Sequence, residues 1–262
     1  MKVLSLLYPD RTARVVALFL LTLIVTLVLC HVGASALNES YHTEGTEILR
    51  DFFGLEREGN VPTWFSSLQL ALIGVVCGVT FLAEKASGSM RKYALFWLGL
   101  SLLFLFLSMD ETAQFHERLD EVVGLLSKTA DGATVNQGTK ESPIFFYLLL
   151  YVPGLGAVSA ALIGFVFRRV KDRATRVLFV AGLIGFALKL GLDMLTPWAM
   201  KTVWFGHRIA APAVILEMSV LLLGEMLILT SLFNYLIALI HKLSLRSSVR
   251  PEFEASYAFG DD

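Results

Sequence analysis

The chain has 262 residues, 55% of them hydrophobic and 17% charged, with a formal net charge of -1 and a mean hydropathy of +0.66. That balance excludes a disordered chain and an ordinary soluble domain, and near-neutrality leaves no global basic field for nucleic acid. The two cysteines, Cys30 and Cys77, form neither a disulfide framework nor a zinc-ribbon spacing; each lies in an apolar run and reads as a small buried hydrophobe.

A membrane span takes about 20 mostly apolar residues. Six segments meet that requirement: 15–36, 63–83, 93–110, 143–167, 177–200 and 209–241. The first begins with basic residues and ends in Ala34-Ser35-Ala36, like a signal peptide with its cleavage site. Its apolar run is at the long end for such a leader, and its removal would leave an odd number of spans, so a retained helix is expected. The loop that follows is acidic. Within it Ile48, Leu49, Phe52 and Phe53 recur at helical spacing, which predicts a short amphipathic helix lying on the membrane interface. Asn60 and Pro62 open the second span, where proline is tolerated in the first helical turn. Residues 128–142, rich in Gly, Thr and Asn, read as a flexible loop. Gly156, Ala160 and Gly164 in the fourth span, and Ala181 and Gly185 in the fifth, have the spacing that allows close helix packing in lipid. The sixth span is long enough to tilt or to project beyond the bilayer. The transmembrane domain therefore occupies residues 1–242, and the polar tail 243–262 is expected to be poorly ordered.

Lysine and arginine set the orientation. They concentrate in the N-terminal tail, in the second loop (Lys85, Arg91, Lys92), in the fourth (Arg168, Arg169, Lys171, Arg173, Arg176) and in the C-terminal tail, and are sparse in the three alternate loops. The expected fold is thus all-α, a polytopic bundle of six transmembrane helices with both termini cytoplasmic, in a bacterial inner membrane.

Ionisable residues inside such a bundle are functional candidates, because charge near hydrocarbon is costly. Asp110, Glu111, His116, Glu117, Asp120 and Glu121 crowd the outer mouth of the third span. Ser66, Ser67 and Gln69 fall in the outer part of the second span, Lys189 and Asp193 in the outer half of the fifth, and Arg208 at the mouth of the sixth. Glu217 lies about 12 Å below Ile209 at a rise of about 1.5 Å per residue. It has no partner on its own helix, which points to Lys189, His116 or Arg208 across the bundle. Lys189 and Asp193, at i and i+4, are expected to pair with each other. The inner half holds little beyond Glu225. On the third helix Asp110 and Glu117 share a stripe with Gln114 and Glu121, and Asp120 is placed to orient His116. Glu111, Arg118, Asp120 and Glu121 also fit the simpler role of a solvated helix exit. Ser66 and Ser67 equally fit inter-helix hydrogen bonding, and His31 and Arg208 fit interfacial anchoring.

The combination Asn60-Val-Pro-Thr-Trp-Phe-Ser-Ser67, Ser108-Met-Asp-Glu-x4-His116-Glu117 and a glutamate in the last span resembles a group of uncharacterised bacterial multi-pass membrane proteins. A looser similarity is to the alkaline ceramidase and progestin/adiponectin-receptor hydrolases, which carry a serine on an early span, an aspartate on the next and three zinc-binding histidines. Ser66 or Ser67, Asp110 and His116 match part of that pattern. The His-x-x-x-His pair of the final span is absent, with Glu217 in its region, and the hydrolase assignment is not adopted.

The leading expectation is an intramembrane enzyme acting from the outer side on a lipid or lipid-linked substrate. Asp110, Glu111, His116, Glu117 and Glu217 would share acid–base duty, and Asp110, His116, Glu117 and Glu217 would alternatively hold a divalent zinc, iron or manganese ion. Ser66, Ser67, Lys189, Asp193 and Arg208 would position the substrate. One alternative is a proton- or ion-coupled transporter or channel relaying through Glu217, Lys189, Asp193 and Asp110. The other is a non-catalytic membrane component that binds a protein partner through its outer loops.

Overall fold

The computed structural model describes residues 10–55, 59–113, 144–201, 203–204, 207–208 and 210–258. They form helices α1 (Arg11–Tyr41), α2 (Glu44–Phe53), α3 (Val61–Ala86), α4 (Arg91–Ala113), α5 (Ile144–Arg169), α6 (Arg173–Lys201) and α7 (Ala210–Ala258). Between α6 and α7 a two-residue antiparallel ladder pairs Val203 with Arg208 and Trp204 with His207. Among the described residues five helices, α1, α3, α4, α6 and α7, are long and apolar enough to cross a membrane.

Local chemistry explains the helix starts. Asp10 caps α1 by accepting from the backbone N–H groups of Thr12 and Ala13, at 2.7 and 3.2 Å. Thr43 and Thr46 form a reciprocal capping box on α2. Asn60 opens α3: its side-chain oxygen accepts from the Thr63 N–H at 3.1 Å, and its amide donates to the Gly54 carbonyl. Asp172 accepts from the Thr175 N–H at 2.7 Å just before α6. Farther along, α7 continues as helix to Ala258, through the polar stretch where a poorly ordered tail is expected. Extending an existing helix costs far less than nucleating one, which is how polar residues follow an apolar run.

The most extensive packing joins α3 with α4 and α6 with α7; α7 also packs on α3 and on α1. The buried stripe of α1 recurs every three to four residues (Ala13, Ala17, Leu20, Ile24, Leu27, His31, Ala34), while Val15, Phe19, Val25, Leu29 and Val32 on its other faces stay exposed and apolar. A helix apolar all round and covered on one side only is built for a lipid surround. One core joins Ile73, Cys77, Trp97, Phe104, Val166, Phe179, Leu222 and Leu232.

Helix contacts at the α6–α7 seam are glycine-mediated. A Cβ on Gly182 would stand 2.7 Å from the Gly224 carbonyl oxygen, and one on Gly185 would stand 2.9 Å from the Gly224 Cα. Gly156 and Gly164 meet nothing within 4 Å among the described residues. In α6 the close contacts thus come from Gly182 and Gly185, three apart, and not from the four-residue pair Ala181 and Gly185.

The bundle has a basic end and an acidic end. Asp10, Arg169, Lys171, Asp172, His241 and Lys242 line one cleft at the basic end. At the other end the Leu55 N–H donates to His31 Nδ1 at 3.2 Å, with α2 alongside. His31 is thus a buried link from α1 to the loop before α3 and not an exposed anchor. A ring nitrogen facing an unpaired backbone N–H is better satisfied there than in hydrocarbon. α2 itself matches the expected amphipathic helix, with Ile48, Leu49 and Phe52 exposed on it.

Candidate functional site

Glu225 on α7 is fully buried. α3 supplies its partners. Ser66 Oγ donates to Glu225 Oε1 at 2.7 Å, and Gln69 Nε2 donates to Glu225 Oε2 at 3.2 Å. These two residues stand three apart, so they leave the same face of α3 and reach both carboxyl oxygens together. Gln69 Oε1 is buried with no hydrogen-bond partner among the described residues. Glu111 of α4 and Lys189 of α6 lie within electrostatic range of Glu225. Lys189 Nζ also stands 4.0 Å from Glu217 Oε1, and Glu217 lies about two turns before Glu225 on α7. Four helices thus contribute to one polar site.

A second chain of hydroxyls adjoins it. Ser67 Oγ donates to the Ser108 carbonyl at 2.8 Å and lies 3.0 Å from Ser108 Oγ, while Thr112 Oγ1 donates to Ser67 Oγ at 2.7 Å. This ties α3 to the end of α4, where Asp110 and Glu111 are half-buried.

Lys189 meets Glu217 across the α6–α7 interface, as one of the partners expected for Glu217. Asp193 and Arg208 fall in α6 and in the ladder, but their side chains lie outside the described residues, as do His116 and Glu117 altogether. Among the described residues no three His, Cys, Asp or Glu side chains converge as metal ligands. Glu225, expected as an isolated acid of the inner half, meets Ser66 and Gln69 in the first turns of α3.

The basic half is not sparse. Glu84, fully buried near the end of α3, accepts from Arg169 Nε at 3.0 Å, from a second guanidinium nitrogen of Arg169 and from the Tyr235 hydroxyl. Arg169 reaches Ser89 as well, at 2.6 Å. Trp97 stacks on Tyr235 with ring centroids 5.3 Å apart, closing the cluster on its apolar side. An acid two residues before the end of an apolar helix was the available signal, but its partners come from α5 and α7 and leave no local pattern. Two carboxyls at this end, outside the spans, sit below the ordinary range. Asp10 is held down by the Ala13 N–H and then by Thr12. At Asp172 partial burial pushes upward and is outweighed by hydrogen bonds from Thr175 and Ala174.

No curated protein and no solved structure matches the chain. The comparisons give no link to the alkaline ceramidase and progestin/adiponectin-receptor hydrolases. Residues 15–236 match the family described as Domain of unknown function (DUF8692), and the chain belongs to that family.

Proposed function

We propose that this protein is a six-span, multi-pass protein of a bacterial inner membrane, with both termini cytoplasmic, that exchanges protons through a carboxylate site inside its bundle. The observation that carries the reading is Glu225, a fully enclosed carboxyl held by Ser66 and Gln69, with Lys189 and Glu111 in electrostatic range. Intramembrane acids are expensive and are kept where a pathway uses them. Enclosure also discriminates between ligands. A proton reaches a site without exposed surface along hydrogen bonds, whereas a lipid needs an opening. Glu217 and Lys189 connect this site toward the acidic end. Thr230, Ser231, Asn234 and Tyr235 place polar groups along the same helix toward the basic end. The 26-residue α5, whose sequence is apolar up to Phe167, supports a sixth span, and the clustered Lys and Arg support a cytoplasmic basic end.

A second reading is favoured by one contact. Ser66 Oγ at 2.7 Å from a carboxylate is the arrangement a base-activated hydroxyl nucleophile uses. An acid–base enzyme on a lipid or lipid-linked substrate would follow, with Glu111 in electrostatic range of Glu225, Asp110 next to it in α4, and a divalent metal entering if His116 and Glu117 complete a ligand set. It ranks second because Ser66 is fully buried.

Proton entry into vesicles reconstituted with the full chain tests the first reading. With an imposed potential and an internal pH dye, the wild type should acidify the lumen faster than protein-free vesicles, and Glu225→Gln should reduce the excess by about tenfold or more, as for loss of one essential acid–base group. Flux equal in Glu225→Gln and wild type, or no excess in the wild type, overturns proton exchange and moves the hydrolytic reading forward.

A further inference from the structure

The cleft at the basic end has a volume of about 640 Å³ and is walled by the α5–α6 connection, the C-terminal half of α7 and the start of α1. Its Asn234 stands nine residues after Glu225 on α7, and the cleft does not include the Ser66–Glu225–Gln69 contact. Asn234 lines it and is 93% buried, since 7% of its surface is exposed. Both its amide nitrogen and its amide oxygen lack a hydrogen-bond partner among the described residues. Leaving such a group unpaired is costly, so a side chain at a cleft in this state calls for a ligand with both a hydrogen-bond acceptor and a donor.

Charge specifies the ligand further. The two carboxylates at the cleft are already engaged: Asp10 by Thr12 and Ala13, and Asp172 by the Thr175 N–H and hydroxyl. Arg169 is committed to Glu84. Lys171 comes from the α5–α6 connection and Lys242 from α7; both are exposed and make no ion pair among the described residues. Ile237 and Leu239 add apolar wall. Two available ammonium groups flanking an unsatisfied amide, beside an apolar surface at a helix end, match an anionic phosphate carrying a hydroxyl and an acyl chain.

We propose that this cleft binds an anionic phosphate group, with the headgroup of an acidic glycerophospholipid as the occupant. Lys171 and Lys242 neutralise the phosphate, Asn234 reads the polar headgroup, and Ile237 and Leu239 border the glycerol and the first acyl carbons.

The test uses the purified full chain in a neutral detergent, with thermal unfolding followed as probe is added. The probes are phosphatidylglycerol, phosphatidylcholine, glycerol 3-phosphate and inorganic phosphate. Phosphatidylglycerol should raise the unfolding midpoint saturably and phosphatidylcholine should not. Lys171→Gln and Lys242→Gln should each weaken the apparent affinity about fivefold, the worth of one basic residue at a lipid surface. Asn234→Leu should leave the midpoint without lipid unchanged or higher, because an unpaired amide is removed, while abolishing the lipid-induced shift. Equal shifts from inorganic phosphate or glycerol 3-phosphate, still lost in the three variants, keep the site and reassign the occupant to a soluble phosphate. A phosphatidylglycerol shift that survives in all three variants, or no shift from any probe, overturns the proposal. So does Asn234→Leu lowering the lipid-free midpoint while retaining the lipid shift, which makes Asn234 a structural residue.

Discussion

Glu84 shows how a single side chain can be essential to a membrane helix without touching a ligand. It is fully buried, and its partners arrive from residues 85 and 151 positions later in the chain. Removing one member of a buried pair leaves the other uncompensated, at about 3–5 kcal/mol where both are enclosed. Arg169 keeps 31% of its side-chain surface exposed, so water screens part of that loss. Glu84→Ala should therefore lower stability by about 1–3 kcal/mol, and Tyr235→Phe by about 1 kcal/mol, one hydrogen bond. Reversible unfolding in detergent measures both; an unchanged midpoint for Glu84→Ala would mean the cluster contributes nothing net. Sequence reading lists every acid in an apolar run, and Glu225 was visible in that way. It does not tell that Ser66 and Gln69 are its partners, because hydrophobicity is a property of a segment while a hydrogen bond depends on the rotation of two helices about their axes.

At the scale of helices, close approach is decided by glycines that face one another. Gly182, Gly185 and Gly224 bring α6 and α7 together at backbone contact. Gly182→Ala would place a methyl 2.7 Å from the Gly224 carbonyl oxygen, a backbone atom that cannot rotate away. Overpacking of this kind costs about 1–3 kcal/mol, more than the roughly 1 kcal/mol of helix propensity that alanine returns. Gly164→Ala, where a Cβ meets nothing within 4 Å among the described residues, should be neutral or slightly stabilising. A midpoint that falls for Gly164→Ala and holds for Gly182→Ala would contradict the seam described here. The spacing of small residues was legible from sequence in α5 and α6 alike. Only packing distinguishes the helix that uses it, since the same spacing serves equally well facing lipid.

For the whole molecule, the decisive claim is that the basic and acidic ends face opposite compartments. With Cys30 and Cys77 replaced by alanine, Glu47→Cys in α2 should react in intact cells with a membrane-impermeant maleimide. Met90→Cys, exposed between α3 and α4, should react only after permeabilisation. Labelling of both from the same side would remove the proposed orientation. Composition and apolar run lengths by themselves determined that the chain is helical and suited to a membrane, because transfer from water to hydrocarbon acts on each segment independently. Tertiary structure alone decided which acids are enclosed and with what. Ser66 and Glu225, 159 residues apart, meet only when α3 and α7 settle into one register. That register is set by the summed packing of both helices and leaves no trace in either sequence taken singly.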